Sequence, residues 1–165
     1  MRYLAIGIDD TDTTEGGATF ALTLALQQHL STLGGVMPIG HHIVMLNPAT
    51  PERTAGNSAS FIEIAADPAL CAQIREHSLR FVSDEALSPE WGIAIKQGFT
   101  VPRDLREFGN RARTGTVTRE EAEELARRRG IFTAGGRGVI GALAAVSCIG
   151  LDNAILLDPK RAILS

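Results

Sequence analysis

The sequence predicts an α+β fold, a β-α-β-β-α-β run over residues 2–97 followed by a mainly helical part with one further strand. Three observations predict it. Apolar, strand-like runs at 2–8, 39–46, 58–65 and 92–97 are bounded by polar segments rich in Gly, Pro, Asn and Asp. Stretches with helical spacing separate the first run from the second and the third from the fourth. Beyond residue 98, a capping signature and a small-residue run read as helices. The order over 2–97 is that of the split-βαβ, ferredoxin-like pattern. In that pattern strands one and two are parallel with strand three antiparallel between them, so loops 9–17 and 47–57 emerge at the same end of the sheet.

Each element has a local reason. Residues 2–8 (Arg-Tyr-Leu-Ala-Ile-Gly-Ile) form a strand ended by the polar run Asp9 to Gly17. Residues 18–33 place Ala18, Leu22, Ala25, Leu26, Leu30 and Leu33 at helical spacing, and Gly34-Gly35 ends that helix. In the strand 39–46, His41 and His42 alternate, so one should face the core and one the solvent. Residues 58–65 alternate as a third strand, Pro68 opens a helix to about Val82, and 92–97 is a short fourth strand. Thr118 with Glu121 makes a capping box and Gly130 closes that helix, with Glu123–Arg127 and Glu124–Arg128 at favourable spacing. Gly135 to Gly138 open a small-residue helix to about Ile149, and Ala154 to Leu157 is expected as the last strand. Residues 1–98 thus form a ferredoxin-like region with an acidic, Gly-rich loop, and 99–165 a helical region with an Arg-Gly motif packing on it, the two sharing one core.

A chain of 165 residues, 44% hydrophobic and 21% charged, suits one domain that needs no disulfide or zinc to fold. Its longest apolar run, Gly138 to Ala145, is far short of the ~18 residues that cross a bilayer. Arg2 is followed so soon by Asp9 and Asp10 that a soluble, cytoplasmic protein is expected, with no membrane partner. Cys71 and Cys148 lie too far apart in sequence for a C-x-x-C zinc motif. Net charge is −3, yet residues 1–101 carry −6 and residues 102–165 carry +3. A freestanding polyanion binder is therefore not indicated, while Arg111, Arg113, Arg127, Arg128, Arg129 and Arg137 offer either a local basic face or a solvated helix surface.

The strongest chemical signal is Asp9-Asp10-Thr11-Asp12 directly after the first strand, followed by Gly16-Gly17-Ala18-Thr19. Three carboxylates within four residues repel one another unless a cation sits among them. Mg²⁺ suits them, because it takes one or two carboxylates, keeps several waters and draws other ligands from phosphate. Gly16 and Gly17 allow backbone amides to approach an anion where a helix starts. Thr19 in the first turn offers a hydroxyl to a phosphate or a metal, or accepts a phosphoryl group. The bland reading is an Asp-rich turn before a capped helix, but capping needs one Asp and not three.

The facing loop, Leu46-Asn47-Pro48 … Pro51 … Arg53-Thr54-Ala55-Gly56-Asn57, is stiffened by proline and tolerates left-handed turns at Gly56 and Asn57. Asn47, Arg53, Thr54, Gly56 and Asn57 are candidate nucleotide contacts, with Arg53 the phosphate fork. Arg137 and Gly138 are further candidates. The spacing Gly136-x-Gly138-x-x-Gly141 fits a dinucleotide fingerprint but is better read as close helix packing through Gly138, Gly141, Ala144 and Ala145.

These three segments resemble the archaeal tRNA-Ile agmatidine synthetase family: Ile8 to Asp12 with Gly16 to Thr19, Leu46 to Asn57, and Arg137-Gly138-Val139-Ile140-Gly141-Ala142-Leu143-Ala144-Ala145. The resemblance implies a kinase-like part joined to a ferredoxin-like part, with ATP used to phosphorylate a cytidine and agmatine then displacing the phosphate. It implies that Asp9, Asp10 and Asp12 hold Mg²⁺ and ATP phosphates and that Thr19 takes up phosphate. The Cys-Thr-Thr common in that family is Ala18-Thr19-Phe20 here, and its OB-fold and zinc ribbon have no counterpart in these residues. The expectation is an ATP/Mg²⁺-dependent, phosphotransferase-like enzyme of open acceptor. Its expected partners are a nucleotide and a small amine or RNA, and its oligomeric state is open. A non-catalytic nucleotide-binding or regulatory module is the alternative. Less favoured is a haloacid-dehalogenase-type phosphatase using Asp10 as nucleophile and Asp12 as acid/base.

Overall fold

The computed structural model describes residues 1–13, 18–47 and 57–161. Among them, β1 (Arg2–Asp9), α1 (Thr19–Leu30), β2 (Val36–Met45), β3 (Ser58–Ala66), α2 (Cys71–Glu85) and β4 (Gly92–Gln97) come in the expected order. They are followed by α3 (Arg103–Thr114), α4 (Arg119–Arg128), β5 (Phe132–Gly135), α5 (Val139–Val146) and α6 (Asn153–Leu156). The five strands form one sheet in the order β2-β3-β1-β4-β5, every neighbouring pair antiparallel. Ile8 lies opposite Ser60, and Ser60 opposite Ile43. β1 and β2 are therefore parallel across β3 and finish at the same end of the sheet.

β1 is central and covered on both faces, which explains its unbroken apolar run. Leu4, Ile6 and Ile8 share one core with Leu26 and Leu30 of α1 and Ile74 and Val82 of α2. Tyr3 and Ala5 join the opposite core with Leu105 and Phe108 of α3, Leu125 of α4 and most of α5. α5 is apolar on nearly every side, and a helix of that kind belongs in an interior. It lies directly against strand backbone: a Cβ on Gly7 would sit 2.2 Å from the Ala142 carbonyl oxygen, and one on Gly92 2.0 Å from the Val139 nitrogen. Larger residues at these positions would push helix and sheet apart.

Several boundaries differ from the sequence expectation. Residues 154–157 are not a strand. Asp152 accepts a hydrogen bond from the Ile155 amide and caps the short helix α6 instead. A four-residue apolar run does not distinguish the two states by periodicity. The further strand is β5, antiparallel to β4. α1 stops at Leu30, and β2 starts earlier than expected, at Val36. The capping box at Thr118 and Glu121 is present. The glutamates of α4 pair differently, Glu123 with Arg119 and Glu124 with Arg127, while Arg128 and Arg129 both reach Asp104. His41 and His42 take opposite faces, yet both are half-buried: His41 stacks on Phe20, and His42 stacks on Phe61 and meets Glu63 at 2.5 Å. Among the described residues no helix is long and apolar enough to cross a membrane.

Candidate functional site

Asp9 ends β1, and Asp10 follows in the left-handed region with φ +57°. Such a conformation is uncommon for a residue with a side chain and is held only where neighbours enforce it. Its amide donates to Asp9 Oδ1 at 2.7 Å. The Asp9 carboxylate lies against α5, where a Cβ on Gly141 would come within 1.8 Å of Oδ2. Burial pushes the Asp9 carboxyl well above the usual carboxylate range. The Asp10 and Asp12 charges push it further, while the Asp10 amide and Arg137 pull the other way. Arg137 Nε stands 3.7 Å from Asp10 Oδ2.

These groups border a cavity of about 140 Å³. Asp9, Asp10, Arg137 and Asn57 form its polar side; Leu46, Val117 and Ile140 form much of its apolar side. Asn57 reaches it from the other loop, in the left-handed region with φ +43°, its amide nitrogen donating to the Asn47 carbonyl. Asn47 braces the wall, donating from Nδ2 to the Gly115 carbonyl at 2.9 Å. Behind it, fully buried Arg113 donates to the Met45 carbonyl at 2.9 Å and to the carbonyls of Ile155, Leu156 and Asp158. It ties the end of β2 to α6.

Asp12 and Thr19 form a separate cluster. The Thr19 hydroxyl donates to Asp12 Oδ1 at 3.4 Å and lies 2.9 Å from the Thr11 hydroxyl, with Thr19 only 5% exposed. The amides of residues 136–138 have acceptors within the protein. The Gly136 amide donates to the Trp91 carbonyl, the Arg137 amide to Glu90 Oε2 and the Gly138 amide to the Glu90 carbonyl, each at 2.8 Å. Gly138 and Gly141 instead permit close packing, and an all-antiparallel sheet offers no dinucleotide-type βαβ unit. Gly16, Gly17, Arg53, Thr54 and Gly56 lie outside the described residues.

The six arginines considered for a basic face are drawn to several partners: Arg113 is buried, Arg127 pairs with Glu124, Arg128 and Arg129 share Asp104, Arg111 stands 3.7 Å from Glu121, and Arg137 faces Asp10. Sequence reasoning missed Gly115, Thr116 and Val117 in the cavity wall. The turn Thr114-Gly115-Thr116 before the capping box is the signal that marks them. Among the described residues, no three His, Cys, Asp or Glu side chains form a group that could hold a metal ion.

Fold and cavity together define an α+β protein built on a five-stranded antiparallel sheet, with a carboxylate–arginine pocket at the end of its central strand. Residues 5–69 match the family model for the TiaS TCKD domain. The chain is 34% identical over 152 residues to the isoleucine-tRNA 2-agmatinylcytidine synthetase TiaS of Pyrococcus horikoshii, covering 87% of this chain and 35% of that protein. It is 29% identical over 160 residues to the uncharacterized protein MJ0921 of Methanocaldococcus jannaschii, covering 97% of this chain and 53% of that one. Crystal structures of TiaS with an isoleucine tRNA and ATP, and with that tRNA, AMPCPP and agmatine, superpose with TM-scores of 0.82 and 0.79. Both are 25% identical, and each match covers 92% of this chain and 37% or 38% of TiaS. The chain is thus similar to the agmatinylcytidine synthetases over most of its own length, and residues 5–69 carry the match to the family model. It spans about half the length of MJ0921 and about a third that of TiaS.

Proposed function

We propose that this chain is an ATP- and Mg²⁺-dependent, phosphotransferase-like catalytic unit. One observation carries the reading: two carboxylates, a guanidinium and an asparagine amide meet at one cavity where the central strand ends. A hard cation here would take Asp9 and Asp10 as the one or two carboxylates Mg²⁺ uses, its charge offsetting the burial that favours the protonated Asp9 carboxyl, and glycine at 141 leaves that carboxylate its room. When bound, Mg²⁺ neutralises charge on the transferred phosphoryl group. Arg137 offsets charge opposite Asp10, and Asn57 offers an amide from the facing loop. Asp12 orients the Thr19 hydroxyl and is its proton acceptor if that oxygen attacks the γ-phosphorus and ADP leaves. The TiaS complexes support a nucleotide as cofactor, and RNA or a small amine as second substrate. A cytoplasmic location fits that chemistry.

A second reading, a nucleotide-binding module without turnover, has its own support: the Thr19 hydroxyl is buried and already bonded to Thr11 and Asp12. Titration calorimetry of Mg-ATP on wild type and Asp10→Asn, with label transfer from γ-labelled ATP, tests both. Wild type should bind and the variant should bind weakly with its fold intact. Label should appear on Thr19 and be lost in Asp9→Ala and Thr19→Ala. Equal Mg-ATP binding by Asp10→Asn would refute the site. Binding without turnover or label, with amines and RNA present, would leave the module.

A further inference from the structure

At the opposite end of β4 from Asp9, Lys96, Thr100 and Arg129 are among the residues that line a polar pocket of about 350 Å³ between the end of β4, the start of α3 and the end of α4. Among its described lining residues there is no carboxylate. Lys96 is the unusual member. It is 5% exposed, and its ammonium donates to the carbonyls of Gly98 at 2.7 Å and Gln97 at 3.4 Å, with no carboxylate among these acceptors. A buried cation ordinarily requires a counter-charge. Burial and the neighbouring charge of Arg106 both lower the Lys96 pKa, and an anion here would relieve each. Further cations stand beside the pocket. Arg2 donates to Gln97 Oε1 at 3.0 Å, and Arg128 shares Asp104 with Arg129. Asp104 offsets part of the charge of Arg128 and Arg129, and Lys96 remains the buried cation of the pocket whose acceptors here are carbonyls.

We propose that this pocket is a phosphate-recognition site, with Lys96 and Arg129 as its cationic contacts. It is separate from the Asp9 cavity. The two are linked by β4, whose Gly92 backs Gly138 beside Asp9 and whose Lys96 lies four residues on. That span is about 13 Å at strand rise, or about four nucleotides at the 3.4 Å rise of a nucleic-acid strand. Under the proposed function, on which this reading rests, a polynucleotide whose reacting nucleotide lies in the Asp9 cavity is long enough to bring a backbone phosphate to the far end of β4, as a small metabolite is not. The backbone of a bound RNA strand is the source this spacing favours; free inorganic phosphate is the other source of the same chemistry.

The test uses the whole chain with Arg129→Gln, an exposed change, and Lys96→Met, whose fold is checked by thermal unfolding. A fluorescent single-stranded RNA is titrated at several salt concentrations, and inorganic phosphate is added in thermal-shift assays against chloride of equal ionic strength. Each variant should weaken RNA binding about tenfold, as for loss of a charged hydrogen bond. The slope of log K against log salt should fall by about 0.7 for one lost phosphate contact. Stabilisation by phosphate that disappears in Arg129→Gln, with RNA binding unaltered, supports the site with free phosphate as its source. Arg129→Gln binding both probes as wild type does would overturn the site. Mg-ATP titrations run alongside report on the Asp9 cavity, and loss of Mg-ATP affinity in Arg129→Gln would overturn its separateness.

Discussion

Gly141→Ala tests how packing and chemistry meet in this protein. The added Cβ would sit 1.8 Å from Asp9 Oδ2, 2.6 Å from its Cγ and 2.9 Å from its Cβ. Real contacts of this kind do not fall below 3.0 Å, so Oδ2 must retreat by at least about 1.2 Å. Two effects on stability oppose each other. Alanine in a helix interior gains about 0.5–1 kcal/mol over glycine, while overpacking costs about 1–3 kcal/mol. The net loss should be at most about 2.5 kcal/mol and toward the low end, because a carboxylate at the end of a side chain rotates more easily than backbone moves. The site fares worse, since misplacing a positioned group by about 1 Å costs on the order of 10²-fold in catalysis. Gly138→Ala is the contrast: its Cβ meets the Gly92 nitrogen at 2.4 Å, the Asp9 carbonyl at 2.6 Å and the Glu90 carbonyl at 2.8 Å. All three are backbone, so this variant should unfold at a lower temperature than Gly141→Ala. Thermal unfolding and Mg-ATP calorimetry on both variants decide the matter. A folded Gly141→Ala that binds Mg-ATP as tightly as wild type, with Asp9 unmoved in its structure, would refute the reasoning.

Glu63 is held below the usual glutamate value by its hydrogen bond from His42 and, beyond the opposing effect of burial, by that from Tyr3. Its stabilisation is present above pH 4.5 and is lost as pH falls through the lower folded value; Glu63→Gln should flatten that acid slope, and parallel slopes by circular dichroism would discount the network. Thr118→Ala removes one half of the α4 capping box and should cost about 1 kcal/mol, read as a fall in Tm of about 2–4 °C. An unchanged Tm would mean that Glu121 alone holds the helix start. Asn57→Ala should be less stable than Asn57→Gly, because both lose the amide bond to Asn47 while only alanine meets the left-handed penalty of about 1–2 kcal/mol. The reverse order in urea melts would place the strain elsewhere.

Four of the five strands were legible because each carries a local signature, whereas β5 at Phe132–Gly135 was not expected. β4 begins at Gly92 and alternates to Gln97, matching the expected limits at both ends. The shared end of β1 and β2 then followed from topology, and Asn57 does border the same cavity as Asp9 and Asp10. What escaped the sequence depends on partners distant in the chain. The amides of Gly136 to Gly138 look available for phosphate until Glu90 and Trp91 are folded against them. Arg113 reads as one more helix-surface cation, yet its acceptors lie more than forty residues away and it is wholly buried. Asp9, Asp10 and Asp12 read as one acidic cluster, and nothing local in the sequence says that Asp12 also accepts a hydrogen bond from the Thr19 hydroxyl. Periodicity reports which face is buried, and it carries no information about single left-handed residues or buried polar pairs.

The small-residue run of α5 therefore has two consequences with one cause. Glycines at 7, 92 and 138 let the helix lie on the backbone of β1 and β4. That closeness in turn brings the helix against the residue that ends β1, which is Asp9, with Gly141 facing its carboxylate. A carboxylate so enclosed is held away from its usual ionisation, and nearby Asp10 and Asp12 deepen the effect. Arg137, one residue before the α5 N-cap at Gly138, is the cation this packing delivers to the same place. The helix that closes the core also sets the electrostatics of the cavity. Substitutions that merely loosen α5 should consequently alter ligand affinity before they unfold the sheet, because the site depends on a spacing that the core tolerates within wider limits.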